Sequence, residues 1–206
     1  MDSPALTTAL DELLHRLVPG QRLILGIAGA PGSGKSTVAQ ALQRELEAAV
    51  VVPMDGFHLG NAIIDGTPLR DRKGAPDTFD VGGYVSLLAR LVRRDEEVVY
   101  APAFRRSLDE PVAASIAVPQ SAPVVITEGN YLLSTLPGWR EIRQHLDEVW
   151  FLDLAGETRI SRLVERHMHF GMDRDAAVAW ANGPDQANAE LIAATRDSAD
   201  RLLRVG

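Results

Sequence analysis

Nine consecutive residues, Gly29-Ala30-Pro31-Gly32-Ser33-Gly34-Lys35-Ser36-Thr37, constrain this chain more than any other feature. They fit the pattern G-x-x-x-x-G-K-[ST], and the key positions have a physical reason. Gly29, Gly32 and Gly34 let the backbone reach positive φ and approach an anion with no Cβ in the way. Successive N–H groups can then line a nest for negatively charged oxygens. The helix that follows adds its positive amino end at the same point. Lys35 would reach the β- and γ-phosphates of a nucleoside triphosphate, and the Ser36 hydroxyl would ligate Mg²⁺.

The flanks meet what the pattern needs. Residues 23–28, Leu-Ile-Leu-Gly-Ile-Ala, read as a strand buried on both faces. Val38, Leu42 and Leu46 recur at helical spacing with polar residues between them. All nine residues are therefore predicted to bind nucleotide.

Before this unit, Leu6, Leu10, Leu13, Leu14 and Leu17 predict a helix over 3–18 that stops at Pro19-Gly20. After it, apolar runs at 50–54, 124–127 and 149–154 predict further buried strands, and 201–205 a last one. Helices are expected over 82–94, 139–146, 157–169, 175–181 and 187–194, with Gly183-Pro184 as a break. Segments 98–104 and 114–118 can pair as an excursion around Asp109-Glu110-Pro111. Alternating strands and helices argue for an α/β fold with a parallel sheet and helices on both faces. Residues 55–80, punctuated by Gly and Pro, form a loop long enough to bind an acceptor or cover a site. The chain reads as a single domain over 1–206, with a helical lid at about 157–185.

Composition narrows the function. With 21 basic and 28 acidic residues the formal net charge is −7, so no global basic field attracts nucleic acid. There is no cysteine, hence no thiolate metal site. The opening residues lack a basic-then-apolar signal, and no apolar run approaches membrane-spanning length. The expectation is a soluble, cytoplasmic protein without nucleic-acid or membrane partners. Only two of the 21 basic residues are lysines, Lys35 and Lys73, which draws notice to Lys73.

In open parallel sheets, sites form beyond the carboxyl ends of the strands. Asp55 and Glu128 follow two of the apolar runs there. Phosphoryl transfer needs a metal-holding acid and a carboxylate to take the acceptor proton, and Glu128 and Asp55 suit those two tasks. Each could instead be a turn carboxylate. Arg162 and Arg166, one turn apart, could clamp a migrating phosphoryl group from a mobile lid, or simply face solvent. His58 lies three residues after Asp55 and reads as an acceptor contact. His167 and His169 flank Met168, but without cysteine or a spaced carboxylate they make a poor metal site.

Taken together, residues 29–37, Met54-Asp55-Gly56-Phe57-His58-Leu59, the run 72–80, Glu128-Gly129-Asn130-Tyr131-Leu132 and the stretch 162–167 resemble the uridine kinase, phosphoribulokinase and bacterial pantothenate kinase group of P-loop kinases. The branch they look most like is the bacterial one described as fructokinase-like or uridine kinase-like. The resemblance implies a P-loop NTPase three-layer sandwich and ATP- and Mg²⁺-dependent transfer to a hydroxyl of a small metabolite, a sugar or a nucleoside. Aromatic residues make up only 5% of the chain, so a large stacking platform for a nucleobase is not obvious, which favours a sugar. It implies Asp55, Lys35 and Arg166 as catalytic, Arg162 on the nucleotide, and Ser36 and Glu128 on the metal. Phe57, His58, Arg72, Lys73, Asp77, Phe79, Arg105 and Tyr131 would lie towards the acceptor. It also allows a homodimer.

One departure stands out: Arg105 follows Phe104 where such kinases usually carry Asp, which could favour an anionic acceptor. A GTPase or ATPase switch, such as a metallochaperone, is the competing reading. The chain lacks the Asn-Lys-x-Asp guanine reader, because no Asn precedes a Lys.

Overall fold

In a strand, successive side chains point to opposite faces, so a strand buried on both sides feeds two cores at once. The computed structural model describes residues 4–18 and 20–205; residue 3 of the expected first helix and Pro19 of its stop signal lie outside them. In chain order the elements are α1 (Pro4–His15), β1 (Leu23–Ala28), α2 (Lys35–Glu45), β2 (Val50–Pro53), α3 (Asn61–Ile64), α4 (Val81–Arg93), β3 (Val98–Arg105), β4 (Glu110–Pro119), β5 (Val124–Gly129), β6 (Glu148–Asp153), α5 (Gly156–His169), α6 (Arg174–Asn182), α7 (Pro184–Ala193) and β7 (Arg201–Arg204). Five strands form a parallel sheet in the order β2-β5-β1-β6-β7, and β3 and β4 form a separate antiparallel hairpin.

The two cores divide as the alternation requires. Ile24 and Ala28 of β1, Val125 of β5 and Val149 and Phe151 of β6 pack with Tyr84, Leu87, Leu88 and Leu91 of α4. Leu25 and Ile27, Val124 and Ile126, and Trp150 and Leu152 face the other way, onto α1 and α2. Each such aliphatic side chain contributes about 1.5–3 kcal/mol through burial. The result is the predicted α/β sandwich: a parallel sheet with helices on both faces.

Several local expectations are corrected. Leu14 is exposed rather than part of the α1 stripe. Residues 139–146 form two 3₁₀ turns, Trp139–Glu141 and Arg143–His145, not one helix. Pro184 opens α7 instead of ending structure, since a proline at the first helical position lacks only an N–H that would be unpaired there. On α5 the buried residues are Arg159 and Leu163; Ile160, Val164 and His167 are only partly covered. The reason is the neighbour. This side of α5 lies on the glycine-rich loop, where a Cβ at Gly32 would come within 2.9 Å of the Arg159 carbonyl oxygen and of Leu163.

The long loop is less irregular than its composition suggests. It contains 3₁₀ turns at Met54–Phe57, Arg70–Arg72 and Pro76–Thr78 as well as α3. Its first turn is pressed against the hairpin, and a side chain at Gly56 would collide with the Pro102 carbonyl oxygen. Pro102 lies at the register shift between Ala101 and Ala103, so an irregularity in β3 presents that carbonyl to the turn. Among the described residues no helix is long and apolar enough to cross a membrane.

Candidate active site

The glycine-rich loop joins β1 to α2 with φ of 148° at Gly29, 82° at Gly32 and 93° at Gly34. Lys35 is the first residue of α2 and is 93% shielded from solvent, being only 7% exposed. Its ammonium donates to the Ala30 carbonyl (3.0 Å) and to Asn130 Oδ1 (2.9 Å). Both partners are neutral, and burial pulls its pKa down to about 8 despite Glu128 and Asp55 nearby. Ser33 Oγ is buried with no hydrogen-bond partner among the described residues. A shielded cation held by neutral acceptors, an orphaned hydroxyl and a loop of positive-φ glycines together fit a phosphate chain.

Ser36 Oγ donates to Glu128 Oε1 at 2.8 Å, which joins the loop to the end of β5. Glu128 is buried, and desolvation, then the charge of Asp55, pushes its carboxyl above the usual range; Lys35 and Ser36 oppose that. A hydroxyl beside a desolvated carboxylate at a phosphate site is a donor set that suits Mg²⁺, which prefers few protein oxygens and keeps its waters and phosphate ligands. Asp55, in the turn after β2, opens on the same cavity of about 1210 Å³ as Lys35, Ser36 and Glu128. Pro53 pairs with Glu128 across β2 and β5 two residues before Asp55, so the two acids leave neighbouring strand ends and the charge of Asp55 reaches Glu128.

The far wall of the cavity comes from the 55–80 loop, the hairpin tip and α5 to α7. His58 Nδ1 donates to the Asp55 carbonyl at 2.8 Å, and burial lowers the pKa of its ring. That ring lies 4.0 Å from the Phe79 centroid and 4.8 Å from that of Phe104. Opposite stand Arg166, Phe170, Trp180 and the His167–Asp185 pair, joined at 2.7 Å. Arg166 is largely buried, and desolvation, then the nearby Arg106, lowers its pKa. Arg162 stands over the loop, with Nη1 3.8 Å from where a Cβ at Gly34 would be.

A sequence model described as the Phosphoribulokinase / Uridine kinase family matches residues 24–205. The chain belongs to this family. It is 30% identical over 220 residues to a protein of Schizosaccharomyces pombe provisionally named uridine kinase C227.14, covering 99% of this chain and 93% of that one. It is 32% identical to YggC of Escherichia coli, over 94% of this chain and 84% of that protein. A solved structure from Silicibacter sp. TM1040, provisionally described as a fructose transport system kinase, superposes with a TM-score of 0.87 at 42% identity, covering 96% and 98% of the two chains. This member of the phosphoribulokinase / uridine kinase family is thus an ATP-dependent small-molecule kinase.

Within the kinase, the residues expected at the acceptor divide into three groups. His58, Lys73 and Phe79 line the cavity. Phe57 and Tyr131 are buried behind it: Phe57 packs on Tyr84, and Tyr131 donates its hydroxyl to the Gly74 carbonyl at 2.6 Å. Arg72, Asp77 and Arg105 do not line it. Arg72 and Asp77 pair with each other at 2.5 Å, both about half exposed. Arg105 ends β3 with its side chain exposed, and the next residue, Arg106, is the one that enters the cavity.

Asn130 and Arg106 also line the cavity, Asn130 as a hydrogen-bond partner of Lys35, although no local pattern assigns either a task. The signal for Asn130 is its place two residues after Glu128 at a strand end; only folding shows that it meets Lys35. Phe79, Phe104, Phe170 and Trp180 all line one cavity, although aromatic residues make up only 5% of the chain.

Proposed function

We propose that this kinase transfers the γ-phosphoryl group of ATP to a hydroxyl of a sugar, a nucleoside or a phosphorylated form of either. The acceptor would sit between Asp55 and the wall of His58, Phe79 and Phe104. The observation that carries this reading is that Asp55 shares one cavity with Lys35, Ser36 and Glu128, on the side where the 55–80 loop and α5 to α7 leave room. Lys35, once drawn from Asn130 and Ala30, would meet the β- and γ-phosphate oxygens, and the loop N–H groups would hold the rest of the chain. Mg²⁺, held by Ser36 and Glu128, would draw charge from the same oxygens.

The acceptor oxygen forms a bond to Pγ as the bond from Pγ to the β–γ bridging oxygen breaks, and ADP leaves. Asp55 takes the proton released by the acceptor hydroxyl. Arg162 and Arg166, with their planar forks, would bear on the phosphoryl group as its charge spreads. Residues 157–185 would act as the lid and 55–80 as the acceptor segment of a single domain. A hydrolytic switch would leave the aromatic wall beside Asp55 without a task. The relatives' names, a uridine kinase and a fructose transport system kinase, point to the same acceptor classes.

The test is ADP formation by the full chain with Mg²⁺-ATP across a panel of sugars, nucleosides, pantothenate and sugar phosphates. At least one acceptor is expected to raise the rate over the acceptor-free background by a factor of about 10² or more. ADP release indifferent to every acceptor contradicts the proposal.

A further inference from the structure

Resting on the kinase reading, the geometry points to Arg106 as the residue that selects an acceptor bearing an acid group, a carboxylate or a phosphate monoester, next to the hydroxyl that is phosphorylated.

The other cations near the acceptor side of the cavity are engaged or placed elsewhere. Lys73 is only 10% exposed, and its ammonium donates to Asn61 Oδ1 (2.8 Å), the Asp109 carbonyl (2.5 Å) and the Asp109 carboxylate (2.9 Å). An ammonium has three N–H donors, so none remains for a ligand. Lys73 is a strap that ties the acceptor loop to the hairpin tip. Arg70 spends its Nη1 on Asn61 and Asp109, at the same seam of loop and hairpin tip, with Asp65 3.6 Å from its Nε. Arg72 and Arg105 are outside the cavity. Arg162 and Arg166 belong with the phosphate loop.

Arg106 is placed differently. It stands in the turn after β3, lines the cavity, and carries no hydrogen bond among the described residues. Its single ion contact is Nη2 to Asp55 Oδ2 at 4.0 Å, beyond hydrogen-bond range. Its guanidinium lies 5.7 Å from the Phe170 ring at the end of α5, so one face is braced while the fork of N–H donors stays open. Two observations and one charge argument make the missing partner an anion. The positive charge of Arg106 bears on Arg166 and lowers its pKa, so two cations face this part of the cavity. Asp55, at 4.0 Å, balances charge without occupying the fork's N–H donors. An acid on the acceptor would otherwise be repelled by Asp55 and Glu128, and Arg106 removes that penalty where the acceptor must lie. A bidentate fork suits carboxylate and phosphate alike.

The experiment uses the full chain and matched acceptors: sugars against their monophosphates, and hydroxy acids against their amides. Both anionic classes are read separately, so the source of the acid group is resolved by the same data. The expected result is a kcat/KM for one anionic class at least about 10²-fold above its neutral match. Arg106→Gln should lower that kcat/KM by roughly 10²-fold, mostly through KM, while changing neutral acceptors and the KM for ATP by less than about threefold. Arg106→Lys, which keeps the charge without the fork, should fall between; Arg105→Gln should match the unmodified chain. Equal kcat/KM for neutral and anionic partners overturns the inference and leaves the kinase reading intact. So does an Arg106→Gln loss shared equally by all acceptors or by ATP, which would place Arg106 on the transferred phosphoryl group instead. Failure of every acceptor to raise ADP release overturns the kinase reading and this inference with it.

Discussion

Lys35 is enclosed without a carboxylate against its ammonium, and that has a measurable consequence. In the free chain its pKa is brought down to about 8, chiefly by desolvation. A triphosphate seated against it would favour the charged form and raise that value again. At pH 9 the free chain holds Lys35 mostly neutral, so binding must take up close to one proton; at pH 7 it takes up almost none. Calorimetry of ATP binding in two buffers of different ionisation enthalpy reads this directly. ATP affinity should weaken as pH rises through 8, by up to about tenfold per pH unit. Stability runs the opposite way. From pH 8 to 10.5 the unfolded chain binds a proton that native Lys35 lacks, so this residue's contribution to unfolding free energy rises with pH. Uptake of no proton at pH 9 would show that Lys35 is not the residue that meets the phosphates. Glu128 shifts upward for the same physical reason, so metal binding through its ionised form should weaken at a higher pH than an ordinary glutamate would give.

At the scale of elements, the turn that carries Asp55 and the hairpin depend on each other at Gly56. A β-carbon there overlaps the Pro102 carbonyl, which belongs to backbone and cannot swing aside. Gly56→Ala should destabilise the chain by about 1–3 kcal/mol, as overpacking does. That corresponds to a fall in Tm of roughly 2–4 °C per kcal/mol for a domain of this size. Turnover should drop by more than stability alone explains, because Asp55 is the preceding residue. A melting curve and kcat unchanged from the parent would contradict that coupling. The sequence announces the parallel strands and the glycine-rich turn, since both rest on local pattern: runs of β-branched and aliphatic residues, and glycines at fixed offsets. It does not announce the hairpin's role. Nothing local to Pro102 predicts that its carbonyl meets Gly56, and nothing local to Arg105 and Arg106 tells which of the two turns inward. Arg159 is a similar case: a charged residue on α5, it is buried with its guanidinium on the Pro31 carbonyl and the Gln186 side chain.

Across the whole molecule, the cavity lies at the carboxyl ends of β1, β2 and β5, and separate segments close it. The 55–80 loop, the hairpin tip and α5 to α7 each bring a few side chains from distant parts of the chain. Contacts such as Asn188 Nδ2 to the Gly74 carbonyl at 3.4 Å, beside Tyr131 on the same oxygen at 2.6 Å, bridge those segments. This is why Asp55, Lys35, Ser36 and Glu128 are legible from sequence, each following a strong local signal, whereas Asn130, Arg106, Trp180 and the His167–Asp185 pair are not. Their positions follow from tertiary packing. The most direct measurement is the comparison of Asp55→Asn with the parent chain for acceptor-dependent kcat and for ATP affinity, made side by side. Removal of a base that acts in the transition state should lower kcat by about 10²–10⁴-fold and leave the Kd for ATP within about threefold. A near-normal kcat in Asp55→Asn would contradict the placement of the transferred phosphoryl group between this carboxylate and Lys35.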